Sequence, residues 1–271
     1  MNINYKALAM DLDGTLTNSQ KQITQATKEA VQKAVANGVN VILASGRPLI
    51  GIYPVADALE LDKIGGYILA YNGAHIMDYK TKEDIYRCVL PKEYYVEICD
   101  LAREYNVTAL TYDYDSIVTE NPDDKYVHIE SFCNNNLPIL KVDNLGKHVD
   151  WEVNKFLVVG EPSKLKVAIE GFKKHFENKL NVFFSAEYFL EVTPFGVEKA
   201  SSLKRLLSHL NLSSDSLMAI GDGYNDIPML EYSAFPVAMQ NAYDKVKSVA
   251  KAVTDTNDND GAAKAILKYI F

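Results

Sequence analysis

Residues 11–15 read Asp-Leu-Asp-Gly-Thr and directly follow Tyr5–Met10, a short apolar run that predicts a buried strand. Two carboxylates therefore emerge at the carboxyl end of a strand, which is where open α/β sheets bind ligands. Two acids held close on one loop repel each other unless a cation lies between them, and a hard divalent ion with oxygen ligands is the usual partner. One carboxylate can then act as a nucleophile and the other as a general acid and base. The alternative is an ordinary Asp-Gly turn with solvated acids.

A second strand end carries a candidate anion site. Ala44-Ser45-Gly46-Arg47-Pro48 follows the apolar run Val39–Leu43. A hydroxyl and a free backbone N–H at a strand end, with Pro48 suited to the first turn of a helix, can bind a small anion. The same residues could equally form an ordinary strand-to-helix turn.

Two segments near the end of the chain add a cation and more carboxylates. Lys199 lies just before an amphipathic helix, where a lone lysine is usually a solvated surface charge. Ile220-Gly221-Asp222-Gly223-Tyr224-Asn225-Asp226 follows the apolar run Leu217–Ile220, which again puts acids at a strand end. The glycines allow the backbone to turn tightly, and Asp222 and Asp226 can complete an oxygen cage around one ion.

In this order the motifs D-x-D-G-T, S-G-R-P, Lys and G-D-G-x-N-D resemble those of the haloacid dehalogenase-like phosphohydrolases. The sequence is most similar to the Cof-type, subclass IIB sugar-phosphate phosphatases, and the resemblance runs from Tyr5 to the last helix. It also includes three segments typical of that subclass, which are Tyr71–Ala74, Glu187–Thr193 and Pro236–Ala242.

The resemblance implies a magnesium-dependent phosphatase that hydrolyses small phosphomonoesters, such as sugar phosphates, through an aspartyl-phosphate. Asp11 is then the nucleophile and Asp13 the general acid and base; spacing alone does not decide between the two. Magnesium would be held by Asp11, the main-chain carbonyl of Asp13, Asp222 and Asp226. The expected phosphate-binding groups are Leu12, Ser45, Gly46, Lys199 and Asn225, and further candidates for contact with the substrate are Arg47 and Asn72.

The order of predicted elements indicates an α/β protein with a Rossmann-like core. Strands and helices alternate over residues 5–82 and again over 198–271, which predicts a parallel sheet with right-handed crossovers. Asn72-Gly73 predicts a hairpin turn, with strands at Ala74–Tyr79 and Ile85–Leu90. The core is therefore assigned to 1–84 and 191–271, and an inserted α+β cap to 85–190.

Within the cap, helices are predicted at Pro91–Tyr105, near Asp123–Asn135 and at Ser163–Phe176. Two helices packed on an antiparallel sheet would make it an α+β module, with 134–150 as its least regular stretch. By resemblance this module covers the active site and selects the substrate. The run Asp255–Gly261 lacks the first and last acids of a calcium loop, so it is interpreted as a solvated turn in which Asn259 or Asp260 caps the last helix.

Composition limits the function classes. The 271 residues are 48% hydrophobic and carry a net charge of −8, which argues against nucleic acid or an anionic membrane as a partner and leaves a small phosphate ester as the expected ligand. No apolar run approaches the ~18 residues of a membrane span. Three cysteines without CxxC spacing indicate reduced thiols in the cytoplasm. The sequence leaves the oligomeric state open. Two alternatives remain, a phosphomutase of the same fold and a non-catalytic sensor of a phosphorylated ligand.

Overall fold

The computed structural model describes residues 5–271, and over this range the chain forms fourteen β-strands and eleven α-helices. The strands are β1 Ala7–Met10, β2 Asn40–Ala44, β3 Tyr67–Ala70, β4 His75–Asp78, β5 Glu83–Arg87, β6 Thr108–Tyr112, β7 Ile117–Thr119, β8 Ile139–Lys141, β9 Phe156–Val159, β10 Leu180–Ala186, β11 Phe189–Pro194, β12 Leu217–Gly221, β13 Phe235–Ala238 and β14 Ala252–Val253. The helices are α1 Gln25–Ala36, α2 Leu49–Ala58, α3 Leu61–Ile64, α4 Tyr95–Glu104, α5 Lys125–Cys133, α6 Leu145–His148, α7 Pro162–His175, α8 Lys199–His209, α9 Ile227–Tyr232, α10 Asp244–Val249 and α11 Gly261–Tyr269.

The chain divides into two compact units. The described residues up to Tyr86 form the first unit together with Glu198–Phe271, and Arg87–Val197 form the second. The first unit is therefore discontinuous in sequence, and the second is inserted between β5 and α8.

The first unit is built on an eight-stranded sheet in the order β14-β13-β12-β1-β2-β3-β4-β5. Strands β14 to β3 are parallel, and β4 pairs antiparallel with β3 across the predicted hairpin turn, with Ala70 opposite His75. The residues of β1 and β12 are all buried, as expected of parallel strands that are covered on both faces. Right-handed crossovers run from β1 to β2 in one direction and from β12 to β13 in the other, which puts α1 and α9 on opposite faces.

Local sequence signals explain how the helices of this unit begin. The side chain of Thr24 accepts a hydrogen bond from the Thr27 N–H and so caps α1. Pro48 stands at the start of α2, where its missing N–H costs nothing. The helices α1 and α11 contact each other, and α8, α9 and α10 form a second contacting group. This arrangement confirms the predicted Rossmann-like α/β core.

The second unit contains more structure than its sequence pattern predicted. Its six-stranded sheet has the order β10-β11-β9-β6-β7-β8. Strands β7 and β8 are parallel, and the other four neighbouring pairs of this sheet are antiparallel. Four helices belong to this unit: α4, α5 and α7 lie where helices were predicted, whereas α6 was not predicted. The expectation of two helices on a purely antiparallel sheet was wrong, because there are more helices and β7 and β8 are parallel. The helices α4 and α7 contact each other and supply much of a separate hydrophobic core that includes Phe156, Phe172 and Phe176.

The stretch 134–150, expected to be irregular, contains both β8 and the short helix α6. The Asn144 side chain caps α6 by accepting from the Lys147 N–H, and the Glu120 carboxylate accepts from the Leu145 N–H at 2.7 Å. Val142, Leu145 and Val149 are buried at intervals of three and four residues. Polar neighbours hid this apolar periodicity in the sequence.

Candidate active site

Four neighbouring strands deliver the predicted site residues to one edge of the sheet. Asp11 follows β1, Ser45 follows β2, Asn72 follows β3 and Asp222 follows β12. From β1 the chain continues to β2 and β3 on one side of the sheet, and from β12 it continues to β13 and β14 on the other side. The strand order therefore reverses between β1 and β12. Ligands of open α/β sheets bind at such a point, beyond the carboxyl ends of the strands.

Three carboxylates meet at this point. One oxygen each from Asp11, Asp222 and Asp226 lies within 4.8 Å of the others. Asp226 is fully buried and Asp11 nearly so, whereas Asp222 is partly exposed. A buried set of carboxylate oxygens without nitrogen or sulfur donors suits a hard divalent cation.

Burial and mutual repulsion shift the titration of two of these acids. Burial, followed by the charge of Asp226, raises the pKa of Asp11 to about 7, although Lys199 opposes the shift. Burial and the charge of Asp11 raise the pKa of Asp222 to about 8. The negative charge of the three carboxylates is therefore not fully offset by the groups around them.

Lys199 is the cation inside the cluster. It is the first residue of α8 and is 1% exposed, and its Nζ donates to Asp11 Oδ1 at 2.5 Å and to Asp226 Oδ1 at 2.6 Å. Burial alone would lower the pKa of Lys199, but the charges of the two aspartates outweigh it and hold the pKa well above its ordinary value. Lys199 is therefore charged, and the alternative of a solvated surface lysine was wrong.

Both carboxylate oxygens of Asp226 accept hydrogen bonds from the protein. Its Oδ1 accepts from Lys199, and its Oδ2 accepts from the backbone N–H groups of Asp222 at 3.0 Å and Gly223 at 2.9 Å. These contacts fix the loop after β12 and point the Asp222 carboxylate toward Asp11.

Gly14 and Thr15 of the first motif contact Asp222. The Thr15 hydroxyl donates to Asp222 Oδ1 at 2.6 Å. A Cβ on Gly14, whose φ is +79°, would lie 2.4 Å from Asp222 Oδ2, so this position requires glycine for both its conformation and its close approach. The D-x-D-G-T sequence thus orients a carboxylate more than 200 residues away, a role that its own strand-end position did not reveal.

Asp13 lies outside the carboxylate cluster and is held by two cations. Its Oδ2 accepts from Arg47 Nε at 2.7 Å, and its Oδ1 accepts from Arg47 Nη2 and from Lys21 Nζ, both at 2.6 Å. Burial would raise the pKa of Asp13, but hydrogen bonds and charge from Arg47 and Lys21 outweigh it and lower the pKa to about 2. Lys21 was not predicted as a site residue, because a lysine eight positions beyond an aspartate has no recognisable spacing.

The loop after β2 orients Ser45 and Arg47. Ser45 is buried, and its Oγ accepts from the Arg47 N–H at 3.2 Å. Arg47 is 4% exposed and donates through Nη1 to the Gly51 carbonyl at 3.0 Å, so its guanidinium is fixed. On the neighbouring loop the buried Leu12 turns the chain after β1, since its carbonyl accepts from the N–H groups of Leu16 and Thr17.

Asn72 and Asn225 come together across the site. Asn225 Nδ2 donates to Asn72 Oδ1 at 3.1 Å, and Asn72 also packs against Gly46. Tyr71 and Asn72 both have positive φ, of 52° and 55°, which is uncommon for residues other than glycine and often marks functional sites. Asn72 Nδ2 is buried and has no hydrogen-bond partner among residues 5–271. A buried donor of this kind is costly unless a ligand satisfies it.

The predicted site residues thus gather at one edge of the first unit's sheet. The run Asp255–Gly261, interpreted above as a solvated turn, instead hydrogen-bonds through its side chains to the loop that follows the first motif. Asp260 stands at the N-cap of α11 as predicted, but its side chain accepts from the Thr24 hydroxyl and does not cap the helix.

Comparison with known proteins identifies the class. Residues 8–266 match the model of the haloacid dehalogenase-like hydrolase family, and the chain belongs to that family. A candidate phosphatase of Streptococcus pyogenes serotype M6 is 34% identical over 269 residues, which are 99% of each chain.

Two solved structures share the whole fold. A haloacid dehalogenase-like hydrolase from Bacteroides thetaiotaomicron is 42% identical, with a TM-score of 0.92, over 98% of this chain and 100% of its own. A sugar phosphatase of haloacid dehalogenase subclass IIB is 26% identical, with a TM-score of 0.82, over 97% and 98% of the two chains. The protein is therefore a phosphoric monoester hydrolase, and the resemblance to Cof-type, subclass IIB phosphatases is confirmed.

The described part of the chain contains no helix that is long and apolar enough to cross a membrane.

Proposed function

We propose that the protein is a magnesium-dependent phosphatase that hydrolyses small phosphomonoesters, sugar phosphates in particular, through an aspartyl-phosphate intermediate. The observation that carries the proposal is the buried cluster of Asp11, Asp222 and Asp226, which contains Lys199 and lies beside the Ser45 loop. The subclass IIB sugar phosphatase with the same fold supports the substrate class.

The donor set fits a divalent cation. Asp11 and Asp222 would hold it through carboxylate oxygens and Asp13 through its main-chain carbonyl. Asp226 would support it indirectly, because Lys199 and two backbone N–H groups already occupy both of its oxygens. When bound, magnesium would offset the negative charge of the carboxylates and of the phosphoryl oxygens.

Asp11 is the proposed nucleophile. One carboxylate oxygen forms a bond to phosphorus while the bond from phosphorus to the leaving oxygen breaks, which gives an aspartyl-phosphate. Lys199 lies 2.5 Å from Asp11 Oδ1, so it holds the carboxylate in place and favours its ionised form. When Asp11 attacks in line with the leaving oxygen, the protein contributes to the rate mainly by positioning the substrate and by stabilising charge in the transition state.

Asp13 is the proposed general acid and base. It donates a proton to the leaving oxygen and later removes one from the water that hydrolyses the aspartyl-phosphate. Without substrate, Arg47 and Lys21 keep Asp13 ionised, so proton donation requires the bidentate Arg47 contact to weaken when a substrate binds. The contact between Arg47 and Asp13 weakens because the phosphate dianion of the substrate competes with Asp13 for the Arg47 guanidinium.

The groups proposed to bind the phosphoryl oxygens are the Leu12 N–H, Ser45, the Gly46 N–H, Lys199 and Asn225. Asn72 Nδ2 is proposed to donate to the substrate, because its amide is buried beside Asn225 without a partner among the described residues. Arg47 would contact the substrate on the side of Asp13.

The inserted unit is proposed to act as the cap that selects the substrate. Its own hydrophobic core and its own sheet support an independent role. We also propose a cytoplasmic location, since an odd number of cysteines without paired spacing suits a reducing compartment.

The test is a phosphate-release screen over sugar phosphates, nucleotides and phosphorylated cofactors. The assays are run with magnesium, after exhaustive chelation, and with Asp11→Asn as the control for contaminating phosphatase. We expect inorganic phosphate only with the ion present and only from the unchanged enzyme. Transfer of the phosphoryl group to a second sugar without phosphate release would show a phosphomutase. Undiminished turnover after chelation would refute the requirement for a metal.

A further inference from the structure

The strongest unexplained feature of the first unit is the loop that carries Lys21. Lys21 contacts Asp13 at 2.6 Å, its φ is +61°, and its side chain is 24% exposed. Lys21 lies outside the four sequence motifs, and the proposed mechanism uses it only as a positive charge beside Asp13. On both sides of Lys21, the loop forms hydrogen bonds with residues that are distant in sequence.

The contacts of Asp13 are asymmetric. Arg47 bonds both oxygens of Asp13 through two nitrogens, in the bidentate geometry typical of arginine and carboxylate. Lys21 adds a third bond, to Oδ1 alone. Oδ1 therefore accepts two hydrogen bonds from cations and Oδ2 accepts one, so Oδ2 keeps more accepting capacity for a proton.

The turn that carries Lys21 is organised by Asn18. The Lys21 N–H donates to the Asn18 carbonyl at 2.9 Å, and the Asn18 N–H donates to the Gln22 carbonyl at 3.0 Å. The Asn18 side chain also accepts from the N–H groups of Gln20 and Gln22, at 3.0 and 2.9 Å. These bonds hold Lys21 in a left-handed conformation that is otherwise unfavourable for lysine.

The Asp- and Asn-rich run before α11 fixes this turn from outside. Asp258 accepts from the Ser19 N–H at 2.7 Å and from the Ser19 hydroxyl at 2.6 Å. Asn257 donates to the Thr17 carbonyl at 3.0 Å, and Asp260 accepts from the Thr24 hydroxyl at 2.6 Å. Side chains at three positions of one short run therefore hold the chain on both sides of Lys21.

We propose that Lys21 is a positioning residue that orients the Asp13 carboxylate for proton transfer through Oδ2, and that the 255–260 run holds Lys21 in place. The proposal rests on the proposed function, since it assumes that Asp13 serves the leaving oxygen. Removal of Lys21 leaves Asp13 with Arg47 alone, which a substrate phosphate also attracts. The carboxylate is then less well aligned when the proton moves from Asp13 to the leaving oxygen.

The kinetic test compares two leaving groups. The variants are Lys21→Met, Lys21→Arg and the control Lys63→Met, which removes an exposed lysine paired with Glu60 in the same unit. The substrates are the sugar phosphate with the highest kcat/KM in the screen above and p-nitrophenyl phosphate, whose leaving group needs little protonation. The value of kcat/KM reports formation of the aspartyl-phosphate and excludes its later hydrolysis.

We expect Lys21→Met to lower kcat/KM for the sugar phosphate by roughly 10- to 100-fold, as for partial loss of an aligned acid. For p-nitrophenyl phosphate we expect a loss of less than about threefold, because general acid assistance matters little there. Lys21→Arg should recover most of the activity, and Lys63→Met should match the unchanged enzyme. An equal loss on both substrates, no loss, or a gain on the sugar phosphate would overturn the proposal.

A double mutant tests the second half of the proposal. Asp258→Ala should lower kcat/KM for the sugar phosphate selectively, and combining it with Lys21→Met should add little, because both act through Lys21. Additive losses would show that the run acts by another route.

A measurement independent of activity separates this inference from the proposed function. Crystal structures of the unchanged protein and of Lys21→Met should show that the Asp13 carboxylate changes rotamer or loses order in the variant. An unchanged, equally ordered Asp13 would refute the positioning role even if no phosphate ester were hydrolysed. Absence of phosphatase activity with a displaced Asp13 would refute the proposed function alone.

Discussion

Replacement of Lys199 with methionine should destabilise the protein strongly when no divalent ion is present. Methionine keeps most of the length of the side chain but removes the charge that lies 2.5 Å from Asp11 and 2.6 Å from Asp226. Breaking a buried ion pair by removing one partner costs about 3–5 kcal/mol, because the remaining charge is buried without compensation. For a chain of this size the corresponding fall in Tm is on the order of 10 °C.

The assay is thermal unfolding of the unchanged protein, Lys199→Met and the exposed-lysine control Lys63→Met, with a chelator and with increasing magnesium. Magnesium should raise the Tm of Lys199→Met more than that of the unchanged protein, because the ion supplies positive charge that the variant lacks. Lys63→Met should behave like the unchanged protein. A Tm for Lys199→Met within about a degree of the unchanged protein in chelator would refute the assignment of Lys199 as the buried counter-charge.

The pH dependence of this destabilisation has a definite sign. A carboxyl whose folded-state pKa lies above its unfolded value stabilises the folded protein at low pH. This contribution to the free energy of unfolding is lost as the pH rises through the folded-state pKa. The pKa of Asp11 is already raised to about 7 with Lys199 present, and loss of Lys199 raises it further. The difference in Tm between Lys199→Met and the unchanged protein should therefore be smaller at pH 5 than at pH 8. A larger difference at pH 5 would contradict this reasoning.

Three further predictions test other parts of the site. Asp13→Asn should slow hydrolysis of a sugar phosphate by about 10²- to 10⁴-fold and let a phosphorylated enzyme accumulate, which intact-protein mass spectrometry would detect. Gly14→Ala should lower both Tm and kcat more than Gly38→Ala does, because both glycines have a φ of +79° but only the Cβ at position 14 would meet a neighbour within 4 Å; equal effects would refute the contact with Asp222. Replacement of 87–197 by a short linker should preserve weak hydrolysis of an aryl phosphate but abolish preference among sugar phosphates. Gel filtration checks that the shortened protein stays monomeric. A cap-less core that still discriminates between two sugar phosphates would refute substrate selection by the cap.

The sequence predicted the core sheet well because parallel strands are short apolar runs bounded by strong turn residues. Ala7–Met10, Asn40–Ala44 and Leu217–Gly221 all fall within two residues of the predicted strands. Each of these strands is followed by side chains that can bind a metal ion or a phosphate, so the same stretches of sequence predicted both the strand ends and the site residues. Parallel strands with covered faces leave little ambiguity about which residues are buried.

The inserted unit was harder to predict because its periodicities are short and interrupted. The strand Ile139–Lys141 has only three residues, two of which are exposed, so no alternation is visible. The helix Leu145–His148 spans a single turn and depends on Asn144 and Glu120 for its N-terminal hydrogen bonds. Tertiary contacts of this kind override local propensity and leave no local pattern to detect.

The hydrogen-bonded partners of the site residues were also invisible in the sequence. Lys21 contacts Asp13 from a loop to which Asn257 and Asp258, more than 230 positions away, are hydrogen-bonded. The sequence marked 255–261 as polar, which is equally true of a solvated turn. The decisive information is the pairing of two loops, which only the folded chain provides.

The two aspartates of the first motif lie two residues apart yet titrate in opposite directions, and this follows from where the cations are placed. Asp13 has the charges of Arg47 and Lys21 to itself, whereas Asp11 shares Lys199 with Asp226 and lies close to Asp222. The four carboxylates face three cations, so the site is left with one negative charge when all are ionised. Raised pKa values at Asp11 and Asp222 relieve that excess by protonation, and protonation removes the nucleophile. A divalent ion offsets the same excess without consuming the nucleophile, and it makes the site attractive to a phosphate dianion. The charge balance of the described residues therefore gives its own reason for a metal requirement, independent of the family to which the chain belongs.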